Sequence, residues 1–190
     1  MNKISFWFRN SRPISLPQSM LPALTAVALS AGTGNFSWIA AVVCVIGVMF
    51  AHLGMNLLDD WFDYYKGSGE ARKKAANEGF RGRMTKYPYL TSGEATPKQL
   101  MVAVCVFLGI AAVMGCIVLA IRGWMIFWWM LAGFIIGFSY SGGPLKLGFR
   151  GLGELVIFVM FGPLMMTGVY YAITGEVTPK IAWLSTSVGL

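Results

Sequence analysis

Charge is what this sequence has least of. Only 12% of its 190 residues are Asp, Glu, Lys or Arg, about half the share of a soluble domain, which argues against a water-soluble globular fold. Asp and Glu together number eight, and histidine occurs once. The three cysteines, Cys44, Cys105 and Cys116, lie inside apolar runs and form no Cys-x-x-Cys pair, so neither a disulfide framework nor a zinc site follows from them. The apolar runs are continuous and show no two-residue alternation, which removes a membrane-spanning barrel. No internal repeat or low-complexity linker is evident. The lead from Met1 to Pro17 carries Lys3, Arg9 and Arg12 without a signal-peptide cleavage pattern. It is expected to be a cytoplasmic approach to the first span.

What is present is apolar. Hydrophobic residues make up 56% of the chain, and the mean hydropathy is +0.64. The expected fold class is all-α, a polytopic transmembrane helical bundle forming one domain over residues 1–190. Five full spans are expected, at about Leu16–Ala31, Phe36–Leu58, Gln99–Ile121, Trp124–Tyr140 and Leu152–Ile173. The start of a sixth follows Lys180. Ten residues of helix rise about 15 Å, half of a hydrocarbon core about 30 Å thick. The chain is therefore expected to be truncated at its C-terminus or to rely on a second polypeptide.

The formal net charge of +7 sits in short segments between the runs. That placement suits a topology signal and an anionic lipid or substrate, and no nucleic-acid partner is expected. Eight of the fifteen basic residues fall in the polar segment 59–98: Lys66, Arg72, Lys73, Lys74, Arg81, Arg83, Lys86 and Lys98. The connection after the fourth span adds Lys146 and Arg150, whereas the opposite connections hold only Arg122 and Lys180. The N-terminus and the loop 59–98 are thus expected on the cytoplasmic side of the cell membrane.

The stretch that stands out is Met55-Asn56-Leu57-Leu58-Asp59-Asp60-Trp61-Phe62-Asp63. At helical spacing Asn56, Asp59, Asp60 and Asp63 share one broad stripe. Three carboxylates so close repel one another, so a cation is expected among them. A hard ion such as Mg2+ suits oxygen ligands and shares its shell with phosphate. Asp59, Asp60 and Asp63 are the expected metal ligands, with Asp60 and Asp63 catalytic. The plain alternative is an acidic helix end that is simply solvated, but charges beside a lipid-embedded helix are costly and usually functional.

Basic side chains meet the charge of a leaving diphosphate. Arg81 and Arg83 are favoured because arginine grips phosphate bidentately, and Asn56 and Lys146 join them as candidate diphosphate-binding residues. Further candidates are His52, four residues before Asn56, Tyr140 and Glu154 near the same surface, and Arg12. A lone His such as His52 is more often a hydrogen-bonded packing residue, and Glu154 reads equally as an acid at a helix N-terminus. Gly133 and Gly137 form a Gly-x-x-x-Gly pair suited to close helix packing.

Four motifs in order carry a family resemblance. They are Arg12-Pro13 with Pro22, Asn56 through Gly67, Thr91-Ser92-Gly93-Glu94, and Tyr140-Ser141-Gly142-Gly143-Pro144-Leu145 followed by Gly148 to Glu154. The chain resembles the UbiA-type membrane prenyltransferases, and within them the 1,4-dihydroxy-2-naphthoate polyprenyltransferases of menaquinone biosynthesis. The resemblance implies a helical intramembrane fold around a central cavity, in which two aspartate-rich motifs hold a prenyl diphosphate through Mg2+. Asp60 and Asp63 match the acids of the first motif, and Asn56 an upstream amide. Asp59 departs from the family, which usually has Asn there, and Gly69-Glu70 departs from the acid often found after the matched glycine. The second motif is expected after Leu190.

The implied reaction is Mg2+-dependent transfer of a polyprenyl group from its diphosphate to an aromatic acceptor such as dihydroxynaphthoate, in a lipid bilayer. Two other readings compete. One is a non-catalytic fragment, or half of a split enzyme whose partner chain carries the second motif. The other is a small transporter, which would want ionisable residues near the bilayer midplane. A CDP-alcohol phosphotransferase would need Asp-Gly-x-x-Ala-Arg, whereas this chain reads Asp63-Tyr64-Tyr65.

Overall fold

The computed structural model describes residues 2–65, 87–142, 147 and 151–189. All regular structure among them is helical. Helix α1 (Lys3–Asn10) is capped by the Asn2 side chain and leads through a 3-10 turn (Pro13–Ser15) into α2 (Pro17–Ser30). Helix α3 is Trp38–Tyr65, α4 is the single turn Pro88–Thr91, and α5 is Pro97–Arg122. Then come α6 (Met125–Ser141), α7 (Gly153–Thr174) and α8 (Pro179–Gly189). Thr96 and Gln99 start α5 with a reciprocal capping box, and Pro97 occupies its first turn, where a missing N–H costs nothing.

Three helices, α3, α5 and α7, are long and apolar enough to cross a membrane. In their most apolar windows only 22% of α3 and 17% of α5 is buried within the chain. Val102, Val106, Val113, Ile117 and Ile121 leave α5 with an outward apolar stripe. An exposed surface of this kind belongs to a helix that meets lipid. Of the other expected spans, α2 has 14 residues and α6 has 17.

The core forms where small residues let these helices approach. Leu53 and Leu57 of α3 are buried with Leu100, Val104 and Phe107 of α5. At Gly54 an added Cβ would stand 2.7 Å from Leu108 Cδ2, so glycine sets how closely the two helices pack. On the other side Ala23 and Ala26 of α2 pack with Met166, Val169 and Ile173 of α7. Helix α7 contains a π turn at Met160–Leu164 around Pro163, whose ring nitrogen cannot donate. At that turn α8 crosses so closely that a Cβ on Gly162 would lie 2.5 Å from the Ser185 carbonyl oxygen. The expected Gly133/Gly137 pairing is of another kind. Gly137 leaves room for the Met55 and Met160 methyl groups, each 3.3 Å from a Cβ built there, and Gly133 meets Leu164 at 3.9 Å.

The helix that carries the second span does not end at Leu58. Helix α3 runs on to Tyr65, so the acids occupy its last turns and are not part of a loop. At about 1.5 Å per residue its 28 residues span about 42 Å, longer than a hydrocarbon core of about 30 Å. Ring contacts support the extra turns, with Trp61 against Tyr65 of the same helix at 4.7 Å and Phe62 edge-on to Phe138 of α6 at 5.3 Å between ring centroids.

Candidate functional site

The cation that the acid stripe demands is supplied by the chain itself. Arg12, between α1 and the 3-10 turn, adopts a left-handed backbone with φ 59°. Such a conformation costs an L-residue about 1–2 kcal/mol, and strained residues of this kind cluster at functional sites. It turns the side chain toward the end of α3. Arg12 Nη2 donates to the Asn56 carbonyl at 2.8 Å, to Asp60 Oδ1 at 3.0 Å and to Asp59 Oδ2 at 3.2 Å. Asp60 is 1% exposed and Asp63 fully buried, while the Asp59 side chain keeps 17% of its surface.

Tyr89 of α4 reaches a carboxylate of the site, whereas Tyr87, which precedes that helix, reaches only main chain. Tyr89 Oη donates to Asp60 Oδ2 at 2.9 Å, and Tyr87 Oη donates to the main-chain oxygen of Asp63 at 3.2 Å. Burial, and then the neighbouring Asp60 carboxylate, push the Tyr89 hydroxyl above the ordinary phenol range. It therefore stays protonated and remains a donor. Asp60 is held at both oxygens, by arginine on one and tyrosine on the other.

Asn56 and His52 belong to the adjoining network. Asn56 Nδ2 donates to the Ser11 carbonyl at 3.0 Å and to Ser15 Oγ at 2.9 Å. Ser15 Oγ also lies 2.9 Å from His52 Nε2 and 2.8 Å from the Arg12 carbonyl. A hydroxyl has one proton, so when Ser15 donates it to that carbonyl, His52 must donate through Nε2. Both residues thus fasten the left-handed bend at Arg12 to α3. Tyr140 is half-buried near the end of α6, and Glu154 is exposed in the first turn of α7, where the helix dipole favours an acid. Neither has a hydrogen bond to the acid group among the described residues. Arg81, Arg83 and Lys146 lie outside the described residues.

Residues missed by sequence reasoning are Ser11, Ser15, Tyr87 and Tyr89. The two serines flank Arg12, and Tyr87-Pro88-Tyr89 places two hydroxyl-bearing rings beside a polar turn. That pattern marks a site only once its partner helix is known.

No group of three or more His, Cys, Asp or Glu among the described residues is arranged to hold a metal ion by itself. Asp59, Asp60 and Asp63 therefore form no all-protein cage. The donor set nonetheless fits Mg2+ in that ion's commoner mode, in which one or two carboxylates share it with phosphate oxygens and water. Arg12 beside them fits the anionic part of such a ligand.

The profile of the UbiA prenyltransferase family matches residues 19–190. The 1,4-dihydroxy-2-naphthoate octaprenyltransferase of Mycobacterium tuberculosis is 26% identical over 174 residues, covering 90% of this chain and 55% of that protein. The 2-carboxy-1,4-naphthoquinone phytyltransferase of Synechocystis is 23% identical over 187 residues, covering 97% and 56%. Among solved structures, a UbiA homolog from Archaeoglobus fulgidus, bound to DMAPP and Mg2+, superposes with a TM-score of 0.64 at 21% identity, over 95% of this chain and 58% of that one. The chain spans a little over half the length of these relatives.

Proposed function

The chain belongs to the UbiA prenyltransferase family, and from that membership we propose that the protein transfers a polyprenyl group from its diphosphate to an aromatic acceptor, with Mg2+, in the membrane. Dihydroxynaphthoate is the acceptor we favour, since relatives of this chain are named for naphthoate substrates. The bond from the prenyl C1 carbon to the diphosphate oxygen breaks. A carbon–carbon bond to the acceptor ring forms, and diphosphate and the displaced ring substituent leave. With dihydroxynaphthoate that substituent is the carboxyl group, lost as carbon dioxide.

The observation that carries this reading is the buried acid face at the end of a lipid-facing helix, Asp60 and Asp63 with Asp59, braced by an arginine. Bound Mg2+ would neutralise charge on the departing diphosphate. Asp60 and Asp63 are the ligands we assign to it, with Asp59 as the more exposed third acid. Arg12 pairs with Asp59 and Asp60 and is close enough to meet phosphate. The apolar faces of α3 and α5 suit an isoprenoid tail. In this reading α2 and α6 complete five membrane-crossing segments, and the acid end faces the cytoplasm. A second acid cluster facing this one is assigned to residues outside those described, whether further along the protein or on a partner chain.

The test is turnover. Protein reconstituted in lipid nanodiscs is given a polyprenyl diphosphate, dihydroxynaphthoate and Mg2+, and prenylated product and free diphosphate are measured. Product and diphosphate in equal amounts, both abolished by chelation, are expected. Diphosphate release without product would leave the acceptor wrong. Neither product nor release, with folded protein and any partner chain that supplies the second acid cluster present, would overturn the reading.

A further inference from the structure

The proposed reaction gives Asp60 a task but leaves Tyr89 without one. Tyr89 is 3% exposed, although it carries a hydroxyl and lies in a short polar turn between two long helices. Its hydroxyl reaches Asp60 Oδ2 at 2.9 Å while Arg12 reaches Asp60 Oδ1 at 3.0 Å. Two donors on opposite oxygens stop a carboxylate from turning about its last torsion. Held in this way, the carboxylate presents one fixed plane.

Tyr89 is itself held from the N-terminal helix. Its ring stands edge-on to Phe6 at 6.1 Å and 84° and to Trp7 at 5.8 Å and 86°. Phe6 and Trp7 meet each other at 5.1 Å and 88°. Edge-to-face pairs hold rings in a preferred geometry beyond the effect of their buried area. The same helix leads directly into Ser11 and Arg12. Thus α1 sets both donors on Asp60, one along the main chain and one through this triangle of rings.

We infer that Tyr89 is a positioning residue for Asp60, fixing with Arg12 the carboxylate plane that faces a metal–diphosphate, and that Phe6 and Trp7 of α1 brace it. The inference rests on the metal–diphosphate reading of the site. Groups that orient a ligand side chain typically change metal affinity by about 10–100-fold when removed.

Mn2+ reports on the same carboxylate chemistry as Mg2+. The experiment titrates the nanodisc-reconstituted protein with Mn2+, followed by electron paramagnetic resonance, in the presence of a prenyl thiolodiphosphate that reacts only slowly. Thermal unfolding is measured on each variant. Tyr89→Phe removes one oxygen and keeps the ring triangle. It should weaken Mn2+ binding about 10–100-fold and lower the unfolding midpoint, since a buried carboxylate loses a donor. Tyr87→Phe is the control, because its hydroxyl meets a main-chain oxygen and not a carboxylate. It should stay within about twofold of the parent. Trp7→Ala removes the brace and keeps the hydroxyl, and should fall between them.

Binding by Tyr89→Phe within twofold of the parent would overturn the inference, as would an equal loss in Tyr87→Phe. If Tyr89→Phe unfolds, Trp7→Ala decides, and unchanged affinity there counts against the proposal. A parent protein that binds no Mn2+ with the analogue present would instead defeat the metal–diphosphate reading, and this inference with it.

Discussion

Two arginines hold opposite ends of this bundle and bond to different chemistry. Arg12 sits at the acid end, where its guanidinium bridges Asp59 and Asp60 and takes one carbonyl. Arg122, the last residue of α5, bonds only carbonyls among the described residues. Its Nε donates to Ala172 at 2.7 Å, and its Nη2 to Ile173 and, at 3.4 Å, to Asn35. The Arg122 contacts cap the end of α7, where the last carbonyls have no partner inside the helix and the dipole favours a cation. One residue thereby ties together α5, α7 and the connection between α2 and α3. Arg122 is explained by the fold alone. Arg12 is not, because a fold has no need to gather three carboxylates on one stripe and then adopt a left-handed backbone to reach them. Carboxylate partners thus set Arg12 apart from Arg122, whose partners are carbonyls.

The sharpest way to break this contrast is to neutralise the acids. Asp60→Asn and Asp63→Asn should each lower prenyl transfer by about two or more orders of magnitude, the scale of losing one electrostatic stabiliser. Rates measured across a Mg2+ titration check this, and near-parental activity in both variants at limiting Mg2+ would leave these buried acids a structural role only. Asp59→Asn, which installs the residue usual in the family, should retain activity and leave the Mg2+ dependence little changed.

Arg12→Ala comes next. It removes a donor from a buried carboxylate, so about 1–3 kcal/mol of stability should be lost, less than for a fully buried pair because the arginine is partly exposed. Thermal unfolding should shift downward, and the Mg2+ requirement should change with it. Arg122→Ala should also cost about 1–3 kcal/mol, from three charge-assisted bonds to carbonyls, with the Mg2+ requirement untouched. An altered Mg2+ profile in Arg122→Ala would erase the distinction between the two ends.

Ser15→Ala is the smallest effect expected. It removes a hydroxyl shared by Asn56, His52 and the Arg12 carbonyl, and should cost about 1 kcal/mol. Its activity should stay within several-fold of the parent in the same assay. The two ends also predict an orientation. Ser92→Cys, in a background without the three native cysteines, should resist an impermeant thiol reagent added outside intact cells. A cysteine at Asn35, on the Arg122 side, should react. The reverse pattern would invert the topology.

Much of the fold is legible along the chain because lipid asks for one local property. A helix that meets hydrocarbon needs a continuous apolar run and internally satisfied backbone groups. The expected edges at Gln99, Trp124 and Leu152 accordingly fall within two residues of the helix starts at Pro97, Met125 and Gly153. The edge at Leu58 does not, since charge alone predicts that a span stops where its acids begin. Helix α3 continues to Tyr65, where its acids find donors in Arg12, between α1 and the 3-10 turn, and in Tyr89 of α4. The acid stripe itself needed only helical spacing to be seen. What sequence alone determined is therefore the membrane class, most helix boundaries, and which acids share a face. Only tertiary structure decided what meets those acids. Arg12 is 47 residues from Asp59, and Tyr89 is 29 from Asp60. Local patterns record what a residue needs from solvent, whereas a buried carboxylate is defined by donors that folding brings from elsewhere in the chain.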